Sequence, residues 1–222
     1  MIKAYWYRDI HTIINSPRRV FWNLIGVVVL ILLMRISESG SSSMIFGSDF
    51  VRLVLLSLIG IISFMDVYSD SISKDKRSGV LAYTILSGGN PVLYSLTKIV
   101  VPLIVSVACT ALGALGYILF VSRISLDPQL FFRIFLFVIL AVAVSMALVF
   151  LLNVSSDIDI QTSPLGMLLP MGINLPIIYF VSPFKEFGHY CIVSAAVALV
   201  LWSVGVLVLP GRFSNNLSDM SS

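Results

Sequence analysis

Lys74, Asp75, Lys76 and Arg77 form the longest unbroken run of ionisable residues in this 222-residue chain, and Ser78-Gly79 follows directly. Mixed charge ended by a glycine suits recognition of a partner surface. Catalysis needs more. A hydrolytic or metal site requires clustered His, Cys, Asp or Glu, and here those residues are scattered. His11 and His189 are the only histidines, and each falls near the edge of an apolar stretch. Cys109 and Cys191 lie inside apolar runs, Asp66 stands alone, and Asp157 and Asp159 have no histidine or further carboxylate array beside them. Intramembrane enzymes and ion-coupled carriers both depend on ionisable groups at bilayer depth, and the apolar stretches carry almost none.

The elements that must position the charged run are read from composition. Hydrophobic residues make up 58% of the chain and charged residues 11%. A soluble domain carries about 25% charged residues, so this is an integral membrane chain. A spanning helix needs about 20 apolar residues. Six stretches qualify: 20–36, 50–67, 99–121, 132–152, 164–182 and 190–209. The fold class expected is therefore all-α, one transmembrane domain of six helices over 20–209. The net charge of +3 is small and scattered, which leaves no footprint for nucleic acid.

Sidedness follows from Lys and Arg. With the N-terminus inside, the inner segments hold nine of the 14 basic residues, including Lys74, Lys76, Arg77 and Lys98. Both termini are then expected in the cytoplasm of a bacterial cell membrane. No small-residue cleavage site follows Met34, so the first span is expected to stay as an anchor. Residues 1–19 place Ile2, Tyr5, Trp6, Ile10, Ile13 and Ile14 at helical spacing, interrupted by Lys3, Arg8 and Asp9. This predicts an amphipathic helix lying in the inner interface. Residues 210–222 are polar and predict a flexible cytoplasmic tail.

The segment 68–98 reads as a long inner loop. Asp70 and Ser71 can cap a short charged helix that breaks at Ser78-Gly79. Ser78 can cap a second short helix, Val80–Leu86, with Val80, Leu81, Ile85 and Leu86 on one face. Ser87-Gly88-Gly89 ends it, and Asn90-Pro91 opens a third helix, with Asn as cap and Pro in the first turn. The fifth span is irregular. Pro164, Pro170 and Pro176 each remove a backbone donor. In lipid the freed carbonyls would be costly, so this span is expected against protein or a water-filled path. Asn174, at its centre, needs a partner. Pro170, Asn174 and Pro176 are the residues expected along a translocation path.

With these residues in view, the chain resembles the permease subunits of ABC exporters of the type-2 class. The resemblance rests on span order, on the N-terminal interfacial helix, and on Asp75-Lys76-Arg77-Ser78-Gly79-Val80-Leu81 leading to Ile85-Leu86-Ser87 and Pro91. The resemblance implies that the loop is a coupling helix held by a cytoplasmic ABC ATPase, through Asp75, Lys76, Arg77, Gly79, Leu81 and Leu86. It implies a second permease copy or a related permease, and a hydrophobic or amphipathic cargo such as a peptide, bacteriocin or antibiotic. The chain has no GxxxxGK[ST] phosphate loop, so ATP and Mg are expected in the partner, with no cofactor and no enzymatic activity in this chain. Span count and length are also similar to the haem-exporter permease of cytochrome c maturation. From other classes, an intramembrane enzyme and an ion-coupled carrier are the alternatives.

Overall fold

Among the described residues, apolar runs separated by glycine, proline and charge fold as helices. The computed structural model describes residues 6–7, 9–11, 15, 17–39, 48–122, 128–155, 165–181, 183 and 186–220. In order, the helices are α1 (Pro17–Ser39), α2 (Ser48–Arg77), α3 (Val80–Leu86), α4 (Pro91–Gly116), α5 (Pro128–Ser155), α6 (Leu165–Phe180) and α7 (Phe187–Met220). A wider π-type turn, Tyr117–Ser122, extends α4. Residues 6–7 and 9–11 are also helical, and no strand occurs among the described residues.

Four helices are long and apolar enough to cross a membrane among the described residues: Leu53–Arg77, Pro91–Leu119, Pro128–Ser155 and Phe187–Pro210. The first and fifth expected spans fall on α1 and α6, whose described apolar stretches are shorter, Leu24–Leu33 and Leu168–Phe180. Helix directions alternate. Ser73 on α2 and Asn153 near the end of α5 share one end of the bundle. Leu53, Ile134 and Phe187, near the starts of α2, α5 and α7, share the other. These three helices therefore run one way, and α4 runs back, with Lys98 beside Ser71 and Ser106 bonded to the Gly60 carbonyl at 3.3 Å.

α5 is the hub, packing on α7, α2, α4 and α6. Its residues Ala141, Val142, Val144, Val149 and Phe150 are fully buried. Gly60 lets α2 approach it closely. A Cβ there would stand 2.5 Å from a Val142 methyl and 2.7 Å from a Val138 methyl. In bundles that lack a hydrophobic drive between helices, small residues permit this contact.

Three expectations change. Residues 68–77 are not a loop but the last turns of α2. Asp70 does not cap; it pairs with Lys74 one turn on, at 2.7 Å, a contact that supports the helix it was expected to start. Ser78 does not cap α3 either. Its hydroxyl donates to the Asp75 carbonyl, and the cap position is Gly79, at φ 73°, where glycine is favoured because it lacks a Cβ. Third, helix continues from α7 through Met220 where a flexible tail was expected. Pro210 withdraws one backbone donor, and the helix continues past it. The Asn90 cap was read correctly: its side chain accepts from the Val92 and Leu93 amides at 2.9 and 3.4 Å. The 156–164 connection and most of 1–19 lie outside the described residues.

Candidate functional site

The ionisable residues gather at one end of the bundle. Ser71 and Asp75 are four apart on α2, and Tyr94 and Lys98 are four apart on α4, so each pair shares one helix face. The two faces meet. Lys98 Nζ lies 2.9 Å from Asp75 Oδ2, 3.4 Å from Asp9 Oδ2, and donates to Ser71 Oγ at 2.7 Å. An ammonium has three protons to give, and these three acceptors match that number. Ser71 passes the link on, donating to Asp9 Oδ1 at 2.9 Å, and the Tyr94 hydroxyl donates to Asp75 Oδ2 at 3.1 Å. The side chains of Lys98 and Asp75 are 0% exposed and that of Asp9 is 5% exposed. The helical residues 9–11, α2 and α4 are thereby tied together by charge out of contact with water.

Further polar contacts brace this end. Lys76 Nζ donates to the Asn153 carbonyl at 3.3 Å, and the Trp202 ring N–H donates to Ser95 Oγ at 3.1 Å. These bring α5 and α7 into the same clasp. Beyond it, α3 lies between two turns. Leu81 and Thr84 face inward, while Tyr83 is 71% exposed and Leu86 is 50% exposed. The turn after α3 closes tightly: a Cβ on Gly89 would run into the Thr84 carbonyl oxygen.

The six expected ATPase contacts therefore divide. Arg77, Gly79 and Leu86 are exposed and Lys76 is partly so. Asp75 and Leu81 are buried, at 0% and 1% exposure, and cannot touch a partner in this conformation. Helical periodicity is the reason. Once α2 continues to Arg77, Asp75 falls on the face that carries Tyr68, Ser71 and Ile72, all buried. The path residues divide too. Pro170 and Asn174 are buried and Pro176 is exposed. Asn174 Nδ2 has two protons to give and three acceptors in reach, the Pro170 carbonyl at 2.7 Å, Ser145 Oγ at 2.8 Å and the Ala141 carbonyl at 3.3 Å. It clamps α6 to α5 and does not line an open channel.

Sequence reading missed Asp9, Ser71, Tyr94 and Lys98 as members of one site. Lys98 was counted only as a marker of sidedness. The expectation that the interior carries almost no charge is corrected: three ionised-type side chains are buried together. Among the described residues no group of three His, Cys, Asp or Glu side chains is placed to hold a metal ion. The bonds within the cluster are directional and hold one geometry, so what it supplies is cohesion between the helices. Comparison with protein-family models, with curated proteins and with solved structures finds no match to this chain.

Proposed function

We propose that this chain is the permease subunit of an ATP-driven exporter of the type-2 ABC class. It crosses the membrane six times through α1, α2, α4, α5, α6 and α7, with both termini cytoplasmic. A separate ATPase seats on α3, and a second permease completes the pathway. The observation that carries this reading is the outward presentation of Tyr83 and Leu86 on a short helix whose roots, α2 and α4, are locked by the Lys98 cluster. A knob of that build passes a push into two long helices rather than absorbing it. α6 supports a pathway or a second copy beside it. Pro176 cannot donate to the Gly172 carbonyl, and both residues are exposed on one face. A carbonyl relieved of its donor is unfavourable against lipid. The few polar groups on that face favour a hydrophobic or amphipathic cargo.

The test is co-expression with candidate ATPases and measurement of ATPase binding and coupled turnover. Tyr83→Asp and Leu86→Asp, on exposed positions, are expected to abolish both while the protein inserts normally. Unchanged binding and turnover in both variants would reject the docking surface.

A second reading, an ion-coupled carrier, draws on the same buried Lys98, Asp75 and Asp9, since ionisable groups inside a membrane protein mark ion paths. Position weighs against it. Arg133 and Asn153 are 20 residues apart on α5, about 30 Å by helical rise, which is a whole hydrocarbon thickness. The cluster lies at the Asn153 end, at one rim and not at mid-depth. Uptake or efflux by the purified chain in liposomes under an ion gradient, with no ATPase present, would favour the carrier.

A further inference from the structure

At the end of the bundle opposite the Lys98 cluster, a cavity of about 60 Å³ opens between α2, α5 and the start of α7. Leu53, Ile134, Phe137, Pro183 and Phe187 wall it, and Arg133 stands beside them. The walls are fixed. Leu53, Ile134 and Phe137 are at most 4% exposed, and Phe137 packs on the buried Tyr190 ring at 5.1 Å. Such an apolar hollow stays dry and takes an apolar guest; one of about 150 Å³ holds benzene. This one is smaller and has room only for a short length of hydrocarbon, the remainder lying along the outside of the helices.

Arg133 supplies the other half. It is exposed and makes no hydrogen bond or ion pair among the described residues. Glu186, a carboxylate at the same end, is bonded to His189 Nδ1 at 3.1 Å. The positive ends of α2, α5 and α7 point to this rim, and Phe187 is the first residue of α7. A guanidinium at this level has its stem in hydrocarbon and its head among lipid headgroups. Its planar fork matches a phosphate with two parallel bonds.

We propose that this cleft binds an anionic membrane phospholipid, its phosphate on Arg133 and the first part of an acyl chain in the cavity. The site depends on the chain residing in a membrane and is independent of the transport reading.

The test uses the full chain in mixed micelles, with phosphatidylglycerol or phosphatidylcholine added, and counts retained lipid by native mass spectrometry. Wild type is expected to retain phosphatidylglycerol in preference to phosphatidylcholine. Arg133→Gln, at an exposed position that leaves the fold intact, is expected to weaken retention by about tenfold or more, the loss of a charge-assisted bidentate contact. Leu130 also lines the cavity; Leu130→Phe adds bulk there and keeps the guanidinium, and is expected to weaken retention as well. Equal retention of both lipids, or unchanged retention in Arg133→Gln, would overturn the proposal. So would displacement of the lipid by excess inorganic phosphate, since that would make the site one for a free anion.

Discussion

Lys98→Met tests the buried cluster most directly. Methionine keeps much of the apolar stem and removes the ammonium. Three contacts go with it: Ser71 at 2.7 Å, Asp75 at 2.9 Å and Asp9 at 3.4 Å. Were these groups exposed, the loss would be about 0–1 kcal/mol. Burial changes the scale, because Asp75 and Asp9 remain as carboxylates at 0% and 5% side-chain exposure, deprived of this cation. Removing one partner of a buried pair costs roughly 3–5 kcal/mol. For a chain of 150–250 residues each kcal/mol moves the melting temperature by about 2–4 °C, so the expected fall is about 6–20 °C. The assay is loss of helical circular dichroism on heating in detergent micelles. Adding Asp75→Asn to Lys98→Met should restore part of the loss, with a coupling of about 1–3 kcal/mol between the two sites. High salt should change little, since screening acts on exposed charges. A Lys98→Met protein melting within about 2 °C of wild type would show that the cluster contributes no cohesion, as would strictly additive single and double variants.

Two further outcomes follow from packing. Gly60→Val places methyl groups where α2 touches Val138 and Val142, and overpacking should destabilise the protein by about 1–3 kcal/mol or more, read by the same melting assay. Asn174→Leu removes the two contacts from α6 to α5, on Ser145 and the Ala141 carbonyl; at about 0.6 kcal/mol for each such bond within a membrane protein the loss is roughly 1 kcal/mol, and intact stability would deny the clamp.

Much of this architecture is legible in the residues. Apolar runs mark the helices, Asn90-Pro91 marks the start of α4, and Gly79 and Gly88, both at positive φ, mark the turns around α3. What could not be read was the face of each charge. Capping signals at Asp70 and Ser71 argued for a new helix, but they are equally compatible with a helix already under way, where Asp70 finds Lys74 and Ser71 finds Lys98. The four-residue spacings of Ser71 to Asp75 and Tyr94 to Lys98 were available signals. Their meaning depends on two helices meeting at one register, together with a turn from residue 9 that lies 62 residues from its partner Ser71. Such pairing is a property of tertiary packing. The burial of Leu81 shows the same limit: a seven-residue helix offers several apolar side chains, and only packing decides that Leu81 turns in while Tyr83 and Leu86 turn out.

The choice of charge over grease at this end calls for a reason. Apolar residues of the same volume are often as stabilising as a buried ion pair, or more so. What they do not provide is direction. Apolar contacts such as Gly60 against Val142 carry no directional preference, whereas the bonds on Lys98 hold only near one geometry. An assembly that must transmit a partner's push gains from such a joint where the push enters and tolerates slip farther along. The structure has that order: the Lys98 cluster lies beside α3, where Tyr83 is exposed, and the Gly60 contact lies about 11 residues back along α2 from Ser71, about 16 Å by helical rise. If force enters elsewhere, neutralising the cluster by Lys98→Met with Asp75→Asn should leave coupled turnover intact in whatever protein still folds. If it enters at α3, that variant should still bind the proposed ATPase through Tyr83 and yet fail to couple hydrolysis to transport.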